Sequence, residues 1–136
     1  MRKILLLQNK YHKIDMKEID AQNKLNNAVA QMRRGVLELC TLAIIAREEM
    51  YPSDIIEEMK TANIIIVEGT LYPLLTRLKN EALLTYRWEE SKSGPPRKYY
   101  SLTENGREYL AALQISWDEL VHSVGNILQS FSNNGK

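Results

Sequence analysis

Between Arg77 and Lys98 the cations Arg77, Lys79, Arg87, Lys92, Arg97 and Lys98 stand against only Glu81, Glu89 and Glu90. Tyr72 and Thr76 just precede them, Tyr86 is interleaved with them, and Tyr99 and Tyr100 follow directly. Arg and Lys neutralise phosphates, while Tyr, Thr and Arg also reach base edges, so this mixture has the chemistry to hold a nucleic acid. Nothing comparable supports catalysis. His12 and His122 have no Ser, Cys or acid in a catalytic setting, and neither metal-ligand spacing nor a Gly-rich phosphate loop occurs. No enzyme activity, cofactor or metal is therefore expected. Cys40, among Leu37, Leu39, Leu42 and Ile44, reads as a small buried apolar group.

The elements that must carry these cations are a helix and a hairpin. Leu71, Leu74, Leu75 and Leu78 fall at i, i+3, i+4 and i+7 and predict a helix with one buried stripe. Pro73 fits only in a first turn, which puts the helix start near Gly69 or Thr70. The side away from the leucines carries Tyr72, Thr76, Arg77, Lys79 and Asn80. Two alternating strands follow. Leu84, Tyr86 and Trp88 share one face of the first, and Lys98, Tyr100 and Leu102 share one face of the second, with Tyr100 expected to pack inward. Ser91 to Pro96 forms the tip, where Pro95 and Pro96 cannot pair as an edge. A helix followed by a basic hairpin is how a winged helix grips DNA.

At 136 residues the chain suits one domain with an added helical arm. The net charge of +1 would argue against a nucleic-acid binder if only the sum counted. Its distribution is uneven, because Thr103 to Phe131 holds Glu104, Glu108, Asp118 and Glu119 against Arg107 alone. Met1 to Asp15 has no clear period and reads as an extension, with Met16 as an alternative start. Ile19, Leu25, Ala28, Val29 and Met32 give a weak helical stripe on a polar arm. Gly35 punctuates the chain before an apolar helix from Val36 to Arg47. Pro52, Ser53 and Asp54 signal the next helix start, and Ile64 to Val67 reads as a small strand or an extended connector. The apolar runs are too short to cross a bilayer, MRKILLL ends at Gln8 short of a signal-peptide core, and a single cysteine fits a reducing compartment. The expected location is the cytoplasm, with no membrane partner.

Thr103 is a helix N-cap, although Gly106 replaces the Glu of a full capping box. Beyond it Leu110, Leu113, Trp117, Leu120, Val124, Ile127 and Phe131 are spaced alternately three and four apart. Such a seam on a single projecting helix calls for a second copy, so a homodimer is expected. Packing back onto the N-terminal arm is the competing explanation. The fold class is then mainly α with a small β-hairpin (α+β). It comprises a helical arm over 1–31, a winged helix-turn-helix domain over 32–102 and a C-terminal dimerisation helix over 103–136.

EGTLYPLLTRL at Glu68 to Leu78, GPPRKYY at Gly94 to Tyr100 and LTENG at Leu102 to Gly106 closely resemble the signature of the PadR family of winged-helix transcriptional regulators. The resemblance extends upstream through MRRGVLELC at Met32 to Cys40 and downstream to Trp117. It implies a homodimeric repressor of transcription acting on a palindromic operator in double-stranded DNA. Thr70 to Asn80 would enter the major groove, with Tyr72, Thr76 and Arg77 near bases and Lys79, Arg97 and Lys98 on phosphates. In similar proteins a Trp at the place of Trp117 lines a pocket between subunits that receives flat aromatic compounds. Trp117 is thus either an effector contact or a filler of the seam. Ala82 departs from the Gly often found after the family's recognition helix, which implies a longer helix exit. The alternative function is a winged-helix adaptor whose basic face binds an acidic protein without reading DNA sequence.

Overall fold

Pro52 can open a helix because its ring presets the backbone and its missing N–H falls where no acceptor waits. In a computed structural model, which describes the backbone of residues 2–134 and side chains from Asp15 onward, it lies in the first turn of α2 (Pro52–Thr61), with Asp54 beside it. α1 (Arg2–Arg47) precedes it. α3 (Glu68–Asn80), strands β1 (Leu84–Glu89) and β2 (Arg97–Leu102), and α4 (Glu104–Asn134) follow. The class is thus mainly helical with one two-stranded antiparallel sheet, arranged as a winged helix. No described helix is long and apolar enough to cross a membrane.

The chain divides into two units, residues 1–37 and 38–136. The first is helical from Arg2, with Met16, Ile19, Leu25 and Met32 on its exposed surface. Residues 2–15, expected as an extension without period, are therefore part of α1. Gly35 does not punctuate the chain either. A glycine costs a helix only about 1 kcal/mol relative to alanine, which its helix-favouring neighbours absorb.

In the second unit the core gathers Leu42 and Ile45 of α1, Ile55 and Met59 of α2, and Leu71, Leu75 and Leu78 of α3, each at most 2% exposed. Leu74, expected in the same stripe, is only half-buried. The segment from Ile64 to Val67 is a connector without strand pairing, pinned by buried Ile66. The turn after α1 has a pairing that periodicity does not reveal. Met50 and Tyr100 exchange both backbone hydrogen bonds, at 3.0 and 2.8 Å, fastening the loop to β2.

α2 and α3 end alike. After α2 the Ile64 N–H donates to the Met59 carbonyl at 2.8 Å and the Asn63 N–H to Lys60 at 2.9 Å, with Asn63 at φ 62°. After α3 the Leu83 N–H donates to Leu78 and the Ala82 N–H to Lys79, both at 3.0 Å, with Ala82 at φ 61°. These are Schellman closures, whose left-handed residue is normally Gly or Asn. The longer exit expected from Ala82 does not occur, because these two bonds stop α3 at Asn80. Ala82 instead takes the left-handed backbone and bears its strain, about 1–2 kcal/mol for a residue with a Cβ. Ala82→Gly is expected to raise stability by about 1 kcal/mol, or roughly 4 °C in melting temperature, without altering the fold. An unchanged or lower melting temperature would refute the strain.

Pro73 is not in the first turn of α3, as the sequence implied. The helix starts at Glu68, so Pro73 is its sixth residue and leaves the Gly69 carbonyl without its i+4 donor. Gly69 is exposed, which removes the burial penalty such an orphan would otherwise carry.

The hairpin register pairs Leu84 with Leu102, Tyr86 with Tyr100 and Trp88 with Lys98. Tyr100 is 5% exposed, as its shared face with Leu102 implied. The Thr103 hydroxyl accepts from the Gly106 N–H at 2.9 Å, capping α4, and donates to the Ala82 carbonyl at 2.6 Å. The Thr103 N–H also donates to the Leu83 carbonyl at 3.1 Å.

Candidate nucleic-acid interface

The buried leucines of α3 decide which of its side chains remain available. With Leu71, Leu75 and Leu78 turned into the core, Thr70, Tyr72, Thr76, Arg77, Lys79 and Asn80 are all exposed. At about 100° per residue, Tyr72, Thr76 and Lys79 share the flank nearer the hairpin, while Thr70 and Arg77 lie on the far flank. The Lys79 ammonium is 5.7 Å from the Tyr86 ring centre, which places it against the hairpin.

The hairpin's cations rest on aromatic rings. The Arg97 guanidinium lies 4.7 Å from the ring centre of Tyr51 at the start of α2. The Lys98 ammonium lies 4.5 Å from Tyr86 and 5.1 Å from Trp88. Such contacts localise a flexible cation without neutralising it. Among the described residues neither Arg97 nor Lys98 has a carboxylate within salt-bridge reach. A cleft of about 240 Å³ separates α3 from the hairpin, and Tyr72, Thr76, Trp88, Arg97 and Lys98 all line it. Two cations and four hydroxyl-bearing side chains, counting Tyr51 and Tyr100, thus line one exposed hollow.

Arg77 and Arg87 are differently placed. The Arg77 guanidinium donates to Glu38 at 2.8 Å and to both oxygens of Glu81 at 3.0 and 3.1 Å. Glu38 in turn accepts from the Tyr109 hydroxyl of α4 at 3.3 Å. The hydrogen bonds that Arg77 donates to Glu38 and Glu81 raise its pKa above the ordinary value. Arg87 is bound by Glu49, with one bond at 2.9 Å, and lies 5.0 Å from the Tyr99 ring centre. The Arg87 hydrogen bonds hold the Glu49 carboxyl below its usual range. Both arginines are engaged in ties between elements, unlike Arg97 and Lys98. Counting cations along the chain cannot separate these two classes, because Glu38 and Glu49 are distant in sequence from the arginines they bind.

Sequence periodicity also missed Tyr51 and Trp88. Tyr51 lies far from the basic segment and meets Arg97 only through the fold. Trp88 alternates with Leu84 and Tyr86 and so reads as an inward residue, yet it is 60% exposed. Cys40 is half-buried and its thiol pKa is pushed up by burial, in keeping with a packing role.

Along α4, Trp117 is 39% exposed, Leu120 55%, Val124 44%, Ile127 68% and Phe131 74%, whereas Leu110 and Leu113 are half-buried. The apolar seam therefore lies open on the protomer over its outer half.

Residues 41–112, more than half of the chain, match the Transcriptional regulator PadR-like family. The chain belongs to this family. Solved PadR-like structures are similar to it over most of its length. A PadR-like transcription factor from Bacteroides fragilis is 54% identical, with 74% of this chain and 98% of that one covered and a TM-score of 0.64. A PadR family transcriptional regulator from Eggerthella lenta is 32% identical, covering 81% of this chain and 96% of its own, with a TM-score of 0.76. PadR from Bacillus subtilis, solved in complex with operator DNA, is 25% identical over 59% of this chain and 47% of its own, with a TM-score of 0.55. The PadR-like match contains α2, α3, the hairpin and the base of α4. The seam from Leu113 to Phe131 lies beyond it.

Proposed function

We propose that this PadR-like regulator is a homodimeric repressor that binds a palindromic DNA operator, with α3 in the major groove and the hairpin on the adjacent backbone. The observation that carries the reading is the cleft in which Tyr72 and Thr76 of α3 meet Arg97 and Lys98 of the wing. Tyr72, Thr76 and Thr70 approach bases or adjoining phosphates, and Lys79, Arg97 and Lys98 hold phosphates. Arg77, bonded to Glu38 and Glu81, reaches a base only by giving up those bonds. The operator complex of the Bacillus subtilis relative supports DNA as the partner. A second copy joined along Leu110, Leu113, Trp117, Leu120, Val124, Ile127 and Phe131 would supply the two-fold symmetry of a palindrome. A flat aromatic effector stacked on Trp117 at that seam would alter the angle between the two heads. It regulates only to the extent that it binds the two arrangements with different affinity.

The test is fluorescence-anisotropy binding to DNA from the protein's own promoter, against scrambled competitor and across a salt series. The expected result is competitor-resistant binding with two protomers per site, and repression in a purified transcription assay. Arg97→Ala with Lys98→Ala should weaken binding to every DNA sequence and reduce the salt slope by about 2. An unchanged slope would remove these two residues from the phosphate contacts.

A further inference from the structure

Trp88 is the least expected exposed side chain on the hairpin. Its strand alternates toward the core, with Leu84 2% exposed and Tyr86 half-buried, but the core ends before the strand does. The indole therefore projects past the last buried layer while keeping the inward direction, toward the cleft beside α3. It stands edge-on to Tyr86, with ring centres 6.0 Å apart and planes at 87°, so one neighbour fixes its orientation. Its cross-strand partner is Lys98, whose ammonium lies 5.1 Å from the indole centre.

We propose that Trp88 is a nucleotide-contacting residue of the wing, laying its exposed indole on the apolar face of the nucleotide whose phosphate Lys98 holds. This rests on the DNA reading above and adds an uncharged contact to it. A backbone nucleotide of a duplex presents an anion next to the apolar face of its sugar. Here an ammonium localised by two rings adjoins an uncovered aromatic surface, in the same hollow as the Tyr72 and Thr76 hydroxyls. Apolar contact with a sugar carries no sequence information, because every nucleotide presents the same one. An acidic peptide would satisfy Lys98 and Arg97 but would give the indole no flat apolar surface. The contact should therefore strengthen binding to all duplexes without adding to the ionic part of the affinity.

The experiment follows labelled-duplex anisotropy and tryptophan emission in the same titration, for the unaltered chain, Trp88→Phe and Trp88→Ala. The chain has two tryptophans, so Trp117 is the sole emitter in both variants. In the unaltered chain emission should be quenched with the midpoint of the anisotropy change, and in Trp88→Phe the quench should vanish while binding persists. Trp88→Ala should bind roughly tenfold more weakly with an unchanged salt slope, the effect of leaving a modest apolar area uncovered, and Trp88→Phe should recover most of the loss. If the duplex binds but quenching survives in Trp88→Phe, or Trp88→Ala binds as tightly as the unaltered chain, the proposal is wrong. If no duplex binds at all, the DNA reading falls first and this contact falls with it.

Discussion

Gly106→Ala should destabilise the protein by about 3 kcal/mol, even though alanine is the better helix former by about 1 kcal/mol. A Cβ at this position would collide with the Leu83 carbonyl oxygen and lie 3.1 Å from its carbon and 3.3 Å from Leu102 Cδ2. The oxygen cannot simply withdraw, because it also accepts the Thr103 N–H at 3.1 Å. Relief requires moving the first turn of α4 away from the end of α3, which breaks the Thr103 cap or opens the packing beneath Leu102. Urea unfolding at a fixed protein concentration measures the loss. Gly35→Ala is the control, since nothing lies within 4 Å of the Cβ it would add. That substitution should stabilise by up to about 1 kcal/mol. Equal responses at the two glycines would refute the steric account.

Leu120→Glu combined with Ile127→Glu should convert a dimer into monomers. Both residues are more than half exposed on the protomer, at 55% and 68%, so the charges cost the isolated chain little. Buried across a two-fold seam against apolar neighbours, they would lose their solvation without gaining a partner. Sedimentation should show the halved mass while circular dichroism keeps its helical amplitude. Operator affinity should fall by about 10²–10⁴, the advantage that linking two heads confers. A variant that remains dimeric would place the subunit interface elsewhere, and operator affinity would then be unchanged.

The winged-helix layout was readable because its determinants are local. The α3 leucines, the alternation of both strands, Pro52 and the Thr103 cap each act within a few residues, and each forms the expected element. The errors came from weak breakers and from contacts distant in sequence. Gly35 was overvalued, since one glycine does not break a helix of strong formers. Pro73 lies at the sixth position of α3 rather than the fourth or fifth, tolerated because the carbonyl it orphans is exposed. Ala82 shows the reverse, with tertiary closure forcing a left-handed alanine. The DNA-facing choices on α3 all proved exposed, but the partition between available and engaged cations depended on Glu38 and Glu49. No periodicity could supply those partners.

The joint at the base of α4 has a mechanical consequence. Thr103 is bonded at once to Ala82, Leu83 and Gly106, and Gly106 leaves no room for slippage against Leu83. A second tie runs from Tyr109 through Glu38 to Arg77 on α3. With its root clamped twice to the reading head, α4 acts as a lever arm of roughly 45 Å for its 31 residues. A sideways push of about 4 Å at its far end turns the root by about 5° and carries the wing and α3 with it. The outer half of the arm is thus where a small force has the greatest leverage on the orientation of α3 and the hairpin.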